Sequence, residues 1–280
     1  MLYFISNSYL ITEEIIDKID FKEDDEILLF NRKHDLIFPM LLESFEKKYD
    51  FMPNIVMCQR ETLMSNESEY SYRGSSSPFI GDKNISTFYI IAGGNSMKDG
   101  YEFNYDNINI RRQTKKDYNK YKKHLLSLDE KRNIIFVDYK TVLPPYGMGY
   151  NIFDIKYYEP YTGFIMLLYI DNKFPNKDKT LVGFTCYSDN TKKRPKDIPT
   201  HRGKLEWELL LSYCKSRNIR LLYSKEKDGV LTDGDALVDF EPLFVIDGTI
   251  DVENRHLVFP DNIKKSDDYY ERTNELFGKR

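Results

Sequence analysis

Short apolar runs alternate with amphipathic stretches along most of this chain, and that alternation constrains its fold more than any other feature. The predicted strands are LYFIS (2–6), EILLF (26–30), NIVMC (54–58), TFYIIAGG (87–94), NIIFVDY (133–139), KTLVGFTCY (179–187), IRLLY (219–223) and LFVID (243–247). The predicted helices are a short one from near Thr12, IFPMLLESFEKKYD (37–50), a charged one within 114–129, EPYTGFIMLLYI (159–170) and HRGKLEWELLLSYCKSRN (201–218). This order is typical of βαβ units. It predicts an α/β protein with a Rossmann-like, mostly parallel sheet, flanking helices and a ligand site at the carboxyl ends of the strands.

Composition narrows the classes of function. The 41 basic and 45 acidic residues give a net charge of −4, which argues against bulk nucleic-acid binding. The first residues, MLYFISNSYLITEE, reach acidic side chains too early for a signal peptide, and no apolar run approaches the roughly 20 residues of a membrane span. The three cysteines are odd in number and lack metal-ligand spacing, as expected in a reducing cytosol. We therefore expect a cytoplasmic protein that, if it meets a membrane such as the inner membrane, does so only from its surface.

The domain organisation is predicted from polarity. Residues 1–250 are expected to form one catalytic α/β domain, and residues 251–280 a C-terminal extension that ends in a charged helix. The polar segment SDNTKKRPKDIPT (188–200) has Ile198 as its one large apolar residue, so it can bury little surface. We expect this segment to be a small lid.

One histidine in the second half stands out as a candidate general base. Of the four histidines, His124 follows two lysines in a charged helix, His256 precedes a strand-like LVF, and His34 lies in a βα loop. His201 instead follows the predicted lid and begins a helix. An imidazole with a pKa near ~6.5 is well suited to take a proton at neutral pH.

The order of motifs around His201 resembles the bacterial CMP-sialic-acid-dependent sialyltransferases that modify lipooligosaccharide. Those enzymes carry Thr/Ser-Gly at the start of a buried helix, then a strand of the type L-x-G-I-D-F-Y, a mobile lid, and a catalytic His before a helix. The matching residues here are Thr162-Gly163, then Leu181 to Tyr187, then His201. In the first half, family strands end in asparagines that contact the nucleotide, and Asn7 and Asn31 follow the first two predicted strands here.

The resemblance implies a fold, an activity and a set of site residues. The fold would be a GT-A-like sialyltransferase variant. The activity would be inverting transfer of sialic acid, or a related keto-acid sugar such as Kdo, from a CMP-sugar donor to a glycan acceptor of lipooligosaccharide or capsule, without a metal or other cofactor. His201 would be the catalytic base and Tyr187 a hydrogen-bond donor to the departing phosphate. The implied nucleotide-binding residues are Asn7, Asn31, Gln59, Thr162, Gly163 and Thr185.

Two physical expectations accompany this assignment. Backbone N–H groups at the start of the helix that carries Gly163 can bind a phosphate, and a glycine there lets the backbone approach a ligand closely. The triplet Asp233-Gly234-Asp235 is spaced like a metal-binding D-x-D motif, but we expect it to lie in a turn.

Two alternatives remain open at this stage. Thr185 stands where the family has Asp, and Glu159-Pro160 stands where the family has Arg. These departures favour a non-catalytic nucleotide- or glycan-binding protein of the same fold, whereas the presence of His201 opposes that reading. An unrelated α/β enzyme, such as a methyltransferase, is the third hypothesis.

Overall fold

The computed structural model describes most of the two ends of the chain and less of its middle. The described residues are 1–6, 8, 10–30, 34–60, 84–92, 103–104, 107–108, 133–138, 162–186, 200–228, 230–249 and 263–277. The predicted helix within 114–129 lies outside these ranges, and so does the predicted lid apart from Thr200, which begins a helix.

Within the part of the chain that the structure describes, seven strands form one parallel sheet at the centre of the fold. The strands in chain order are β1 (Leu2–Ile5), β2 (Glu26–Phe30), β3 (Asn54–Arg60), β4 (Ile85–Ala92), β5 (Phe103–Asn104), β6 (Asn107–Ile108), β7 (Asn133–Asp138), β8 (Lys179–Val182), β9 (Arg220–Leu222), β10 (Lys225–Lys227), β11 (Val230–Thr232), β12 (Phe244–Ile246) and β13 (Ile263–Lys265). The sheet order is β7-β4-β3-β2-β1-β8-β9, and every neighbouring pair in it is parallel. The prediction of an α/β fold with a parallel sheet is confirmed.

The order of the strands reverses beside β1. From β1 the chain proceeds outward through β2, β3 and β4 to β7, then returns so that β8 pairs with the other side of β1. This reversal creates a topological switch point, and in open parallel sheets a crevice forms there at the carboxyl ends of the strands. The site is therefore expected where β1 and β8 end.

The helices cover both faces of the sheet. They are α1 (Glu13–Asp17), α2 (His34–Lys48), α3 (Thr162–Lys173), α4 (Thr200–Ser216) and α5 (Tyr269–Phe277). Because side chains alternate along a strand, Phe4 of β1 packs in the core that includes α3 and α4, and Ile5 packs in the core that includes α1 and α2. Strands buried on both faces read as continuous apolar runs, which is why the sequence located them. Within the described ranges, no helix has the length and hydropathy to cross a membrane.

The helices α3 and α4 both begin on the carboxyl side of the sheet. Each one ends only a few residues before the strand that follows it, β8 after α3 and β9 after α4. Each helix must therefore run antiparallel to that strand, so its first residues return to the carboxyl side. This topology puts Thr162 and His201 on the same side as the switch point.

A buried charge cluster joins α3, α4 and β8 near the opposite edge. Lys179 Nζ lies 2.7 Å from Asp171 Oδ1, and both side chains are 2% exposed. Tyr213 Oη and Arg217 Nε donate hydrogen bonds to Asp171 Oδ2, at 2.6 and 2.8 Å. Burial by itself would raise the pKa of Asp171, but the hydrogen bonds from Lys179, Tyr213 and Arg217 lower it. The cluster holds both helices in a defined position on β8.

The C-terminal part of the chain shares the core on the α4 side. The strands β12 and β13 form an antiparallel pair, and the backbone N–H of Phe244 donates to Ser212 Oγ of α4 at 3.2 Å. Phe244, Ile263 and Tyr269 are buried in the same core as α3 and α4. The predicted boundary between residues 250 and 251 falls between these two paired strands.

Candidate functional site

A single serine hydroxyl joins the two loops at the switch point. The ladder between β1 and β8 continues one residue past β1, because the Ser6 N–H donates to the carbonyl of Val182, the last residue of β8, at 2.9 Å. Ser6 Oγ then donates to the carbonyl of Gly183 at 2.5 Å, and the N–H of Ser8 donates to Ser6 Oγ at 3.3 Å. Ser6 is 8% exposed, so these bonds form out of contact with bulk water.

Gly183 is required both by the backbone and by its surroundings. Its φ is +69°, in the left-handed region that favours glycine. A Cβ at this position would lie 2.7 Å from Ile11 Cδ1 and 3.2 Å from Ser6 Oγ. The turn at Gly183 also explains why β8 ends at Val182, whereas the sequence predicted a strand that extends to Tyr187.

An aromatic ring packs across the carboxyl end of the central strand. The Phe184 ring packs on the first turn of α3, where a Cβ on Gly163 would lie 2.6 Å from Phe184 Cε1. The same ring meets Phe30 edge-on, with centroids 5.8 Å apart and an interplanar angle of 82°. Since β1 lies between β8 and β2, Phe184 spans the end of the central strand. The space beside Gly163 is filled by Phe184, so the glycine serves packing on that side and does not leave the room for a ligand that the sequence suggested.

The structure brings several of the predicted nucleotide-binding residues to this edge. Thr162 is the first residue of α3 and is 4% exposed, and Gly163 follows it. Thr185 is partly buried and lies two residues after Gly183. Gln59 lies near the carboxyl end of β3.

Three predicted site residues lie outside the described residues, namely Asn7, Asn31 and Tyr187. Their described neighbours are at the switch point: Ser6 precedes Asn7, and Phe30 precedes Asn31. The roles of these three residues therefore stay predictions.

His201 is the second residue of α4. On the same helix, Leu209 and Tyr213 are buried, and Tyr213 donates its hydroxyl hydrogen to Asp171 of α3. Helical spacing puts Glu208 and Ser212, four residues apart, on one stripe of this helix. Ser212 accepts a hydrogen bond from β12, so this stripe meets the C-terminal part of the chain.

Glu208 is an unusual acid on that stripe. Its Oε2 is buried and has no hydrogen-bond partner among the described residues. Burial raises the pKa of Glu208, and the nearby positive charge of Arg272 on α5 opposes that rise. The Arg272 guanidinium itself donates to the carbonyls of Glu241 and Pro242, at 2.8 and 3.1 Å.

Sequence reasoning missed Ser6 and Phe184. The sequence predicts Ser6 only as the last residue of the strand 2–6, and Phe184 only as part of the strand 179–187. The signal for Ser6 was a hydroxyl residue directly after a buried strand, but its acceptor lies 177 residues away in the chain. No local pattern identifies such a partner.

Two other candidates have structural roles. Gly234 has φ +111°, and Asp235 Oδ1 accepts hydrogen bonds from the backbone N–H groups of Leu221 and Leu237, at 3.3 and 3.0 Å. The triplet therefore lies in a turn, as predicted, and its second aspartate stabilises the end of the sheet. All three cysteines are buried without a disulfide, and burial raises the pKa of the Cys58 and Cys214 thiols, which keeps them protonated and poorly nucleophilic.

Comparison with known proteins identifies no relative of this chain. No protein-family model, no curated protein and no solved structure matches it. Function is therefore inferred from the topology of the sheet and from the residues at its switch point.

Proposed function

We propose that this chain is a glycosyltransferase that moves sialic acid, or a related keto-acid sugar such as Kdo, from a CMP donor to a glycan acceptor. The observation that carries the proposal is the convergence of Thr162-Gly163 and Gly183 at the switch point, where the loops that carry Asn7 and Asn31 also begin. These motifs are far apart in the sequence, and their meeting at the usual ligand crevice of a parallel sheet is what a common nucleotide site requires.

The donor nucleotide is expected to bind across the ends of β1, β2 and β8. Asn7 and Asn31 would bind the nucleoside, together with Gln59 and Thr185. The phosphate would lie near the start of α3, where the first backbone N–H groups of a helix have no partner within the helix and favour an anion.

The transfer step needs a base and stabilisation of the leaving group. The acceptor hydroxyl would attack the anomeric carbon, and His201 would take its proton as the new C–O bond forms. The bond from the anomeric carbon to the phosphate oxygen breaks, and CMP leaves with the electron pair. Tyr187 would donate a hydrogen bond to that phosphate as its charge grows. Attack from the side opposite to CMP gives inversion, and the charge is stabilised without a metal.

The proposal also covers the variant of the fold, the lid, the acceptor and the location of the enzyme. The fold would be a GT-A-like sialyltransferase variant in which the polar segment 188–200 closes over the donor. The enzyme would work on lipooligosaccharide or capsule glycans from the cytoplasmic side, in peripheral contact with the membrane. The three reduced, buried cysteines are compatible with a reducing compartment.

The test of the donor is nucleotide binding followed by thermal unfolding. CMP is expected to raise the melting temperature, and EDTA to leave the increase unchanged. Release of CMP from a panel of CMP- and UDP-sugars then identifies the donor. Stabilisation only by UDP or GDP together with manganese would overturn the assignment.

The second candidate is a binding protein of the same fold that lacks turnover. It is favoured by Thr185, which stands at the switch point two residues after Gly183 where an acid is expected. Hydrolysis of the donor in the absence of an acceptor separates the two functions, because a binding protein stabilised by CMP would release no product.

A further inference from the structure

We propose that the Ser6 hydroxyl is a positioning group that couples the two nucleotide-binding loops, so that the loop after β1 and the turn after β8 bind a ligand as one unit. The inference concerns a residue with no assigned role in the proposed function. The prediction that the two loops bind CMP together rests on the proposed function. The prediction that the Ser6 hydroxyl couples the two loops does not.

The geometry shows one side chain bonded to both loops. Ser6 Oγ donates to the Gly183 carbonyl at 2.5 Å and accepts from the N–H of Ser8 at 3.3 Å. The Ser8 hydroxyl in turn accepts from the N–H of Leu10, at 3.2 Å. A hydrogen-bonded path therefore runs from Gly183 through Ser6 and Ser8 to Leu10.

Further contacts of Gly183 restrict the movement of both loops. The Gly183 N–H donates to the carbonyl of Leu222 on β9 at 2.9 Å, so the turn is held from both sides. The two groups that face the missing Gly183 side chain are Ile11 and Ser6, both from the loop after β1. A movement of either loop must therefore disturb the other.

Two serines, Ser6 and Ser8, stand on either side of Asn7 in the sequence. A glycine-rich loop binds an anion through conformational freedom and close backbone approach. Here the serine hydroxyls instead accept hydrogen bonds from the backbone N–H groups of Ser8 and Leu10. The expected consequence is a loop that is organised before the ligand arrives.

Ser44→Ala is a matched control for Ser6→Ala, because it also removes one buried serine hydroxyl. Ser44 is 2% exposed, and its Oγ donates to Asp17 Oδ1 at 2.5 Å, which joins α2 to α1 away from the switch point. Ser6→Ala and Ser44→Ala should each reduce thermal stability, because each removes the hydrogen bond of a buried hydroxyl. The loss should be larger for Ser6→Ala, because its acceptor belongs to the buried Gly183, whereas the acceptor of Ser44 belongs to the exposed Asp17.

The two variants are expected to differ in ligand binding. Ser6→Ala should raise the Kd for CMP by about 10-fold, within the usual range of coupling between sites, whereas Ser44→Ala should bind CMP as the wild type does. In amide hydrogen exchange, CMP should protect both 2–12 and 179–186 in the wild type, and only one of the two segments in Ser6→Ala. Equal CMP affinity in Ser6→Ala and the wild type would overturn the proposal.

A ligand-free measurement separates this inference from the proposed function. Without any nucleotide, Ser6→Ala should increase amide exchange at 183–186 by at least about 10-fold relative to Ser44→Ala, since it removes the side-chain hydrogen bond that joins the two loops. If the wild type binds no CMP but this difference is seen, the donor assignment fails and the coupling stands. If exchange at 183–186 is the same in both variants, the coupling is wrong whatever ligand the protein binds.

Discussion

Phe184 occupies the space that a side chain on Gly163 would need, with its Cε1 only 2.6 Å from the position of a Cβ on that glycine. The contact joins the start of α3 to the turn after β8. Phe30 meets the ring edge-on, so the ring has limited room to move. Gly163 and Gly183, the two glycines in the sialyltransferase-like motifs, therefore act together. Gly183 allows the chain to turn, and Gly163 leaves space for the Phe184 ring that follows the turn.

Gly163→Ala should reduce the free energy of unfolding by about 1–3 kcal/mol, the usual cost of overpacking, because the new methyl group displaces Phe184 towards Phe30. Urea unfolding of the purified variant measures the loss. The double variant Gly163→Ala/Phe184→Leu is the control. It should be more stable than the sum of the two single effects predicts, because the smaller side chain makes room for the methyl group. Strictly additive effects would contradict the contact.

Gly183→Ala should be more destabilising than Gly234→Ala. Both glycines have positive φ, so both substitutions cost about 1–2 kcal/mol of backbone strain. A Cβ at Gly234 meets nothing within 4 Å, whereas one at Gly183 lies 2.7 Å from Ile11. The clash should add about 1–3 kcal/mol at Gly183, and urea unfolding of the two variants measures the difference. Equal losses would show that Ile11 yields without cost.

Asp171→Asn should reduce the free energy of unfolding by about 3–5 kcal/mol, since it leaves the buried Lys179 ammonium without its counter-charge. The control is Glu14→Gln, which removes an exposed ion pair with Lys18 and should change stability little. Chemical denaturation at pH 7 measures both. A small loss in Asp171→Asn would mean that Lys179 finds other partners, such as the carbonyls of Phe174 and Lys177 to which it already donates.

The Asp171 contribution should also depend on pH. Because the folded-state pKa of Asp171 is lowered, the unfolded chain takes up a proton at this carboxyl before the folded chain does. The stabilisation is therefore complete above the unfolded pKa of about 4 and is lost as pH falls through the lower folded value. When unfolding is measured from about pH 5 downward, the difference in unfolding free energy between the wild type and Asp171→Asn should decrease as the pH falls.

Glu208→Gln should stabilise the protein at pH 7. Burial raises the pKa of Glu208, so the folded state favours the protonated carboxyl, and its contribution is lost as pH rises through the folded value. A neutral amide removes this cost. For a chain of this size, a gain of about 1 kcal/mol in the free energy of unfolding corresponds to an increase of roughly 2–4 °C in the melting temperature. The increase should vanish near pH 4. A variant less stable than the wild type at pH 7 would show that attraction to Arg272 outweighs burial.

His201→Ala should preserve folding and CMP affinity and reduce sugar transfer by about 100-fold or more, the scale of a lost general base. Tyr187→Phe should also slow transfer, through loss of a donor to the departing phosphate, and the two effects need not add. His124→Ala is the control, because this histidine follows two lysines in a predicted charged helix. Transfer by His201→Ala at the wild-type rate would leave the residue with a structural role only.

The strands of the central sheet could be predicted from the sequence because the apolar pattern of a buried strand lies within the strand itself. EILLF (26–30) coincides with β2, and LYFIS (2–6) exceeds β1 by one residue. A strand covered by helices on both faces is apolar at every position, and that pattern is visible without knowing its neighbours. The same reasoning predicted a helix over 159–170, where α3 covers Thr162–Lys173, and the helix that contains His201.

Only the tertiary structure decided which strands are neighbours and how the site is assembled. The pairing of β8 with β1, the bond from Ser6 to Gly183 and the Phe184 ring on Gly163 all join segments that are remote in the chain. Apolar periodicity determines that a segment is buried, but it does not specify its partner, because any buried strand satisfies the same pattern. Thus the sequence by itself determined the strands of the central sheet, the helices that cover it and the class of fold, but not the short strands β5, β6, β10, β11 and β13. Long-range packing determined the switch point, the conformation of Gly183 and the hydroxyl that links the two loops.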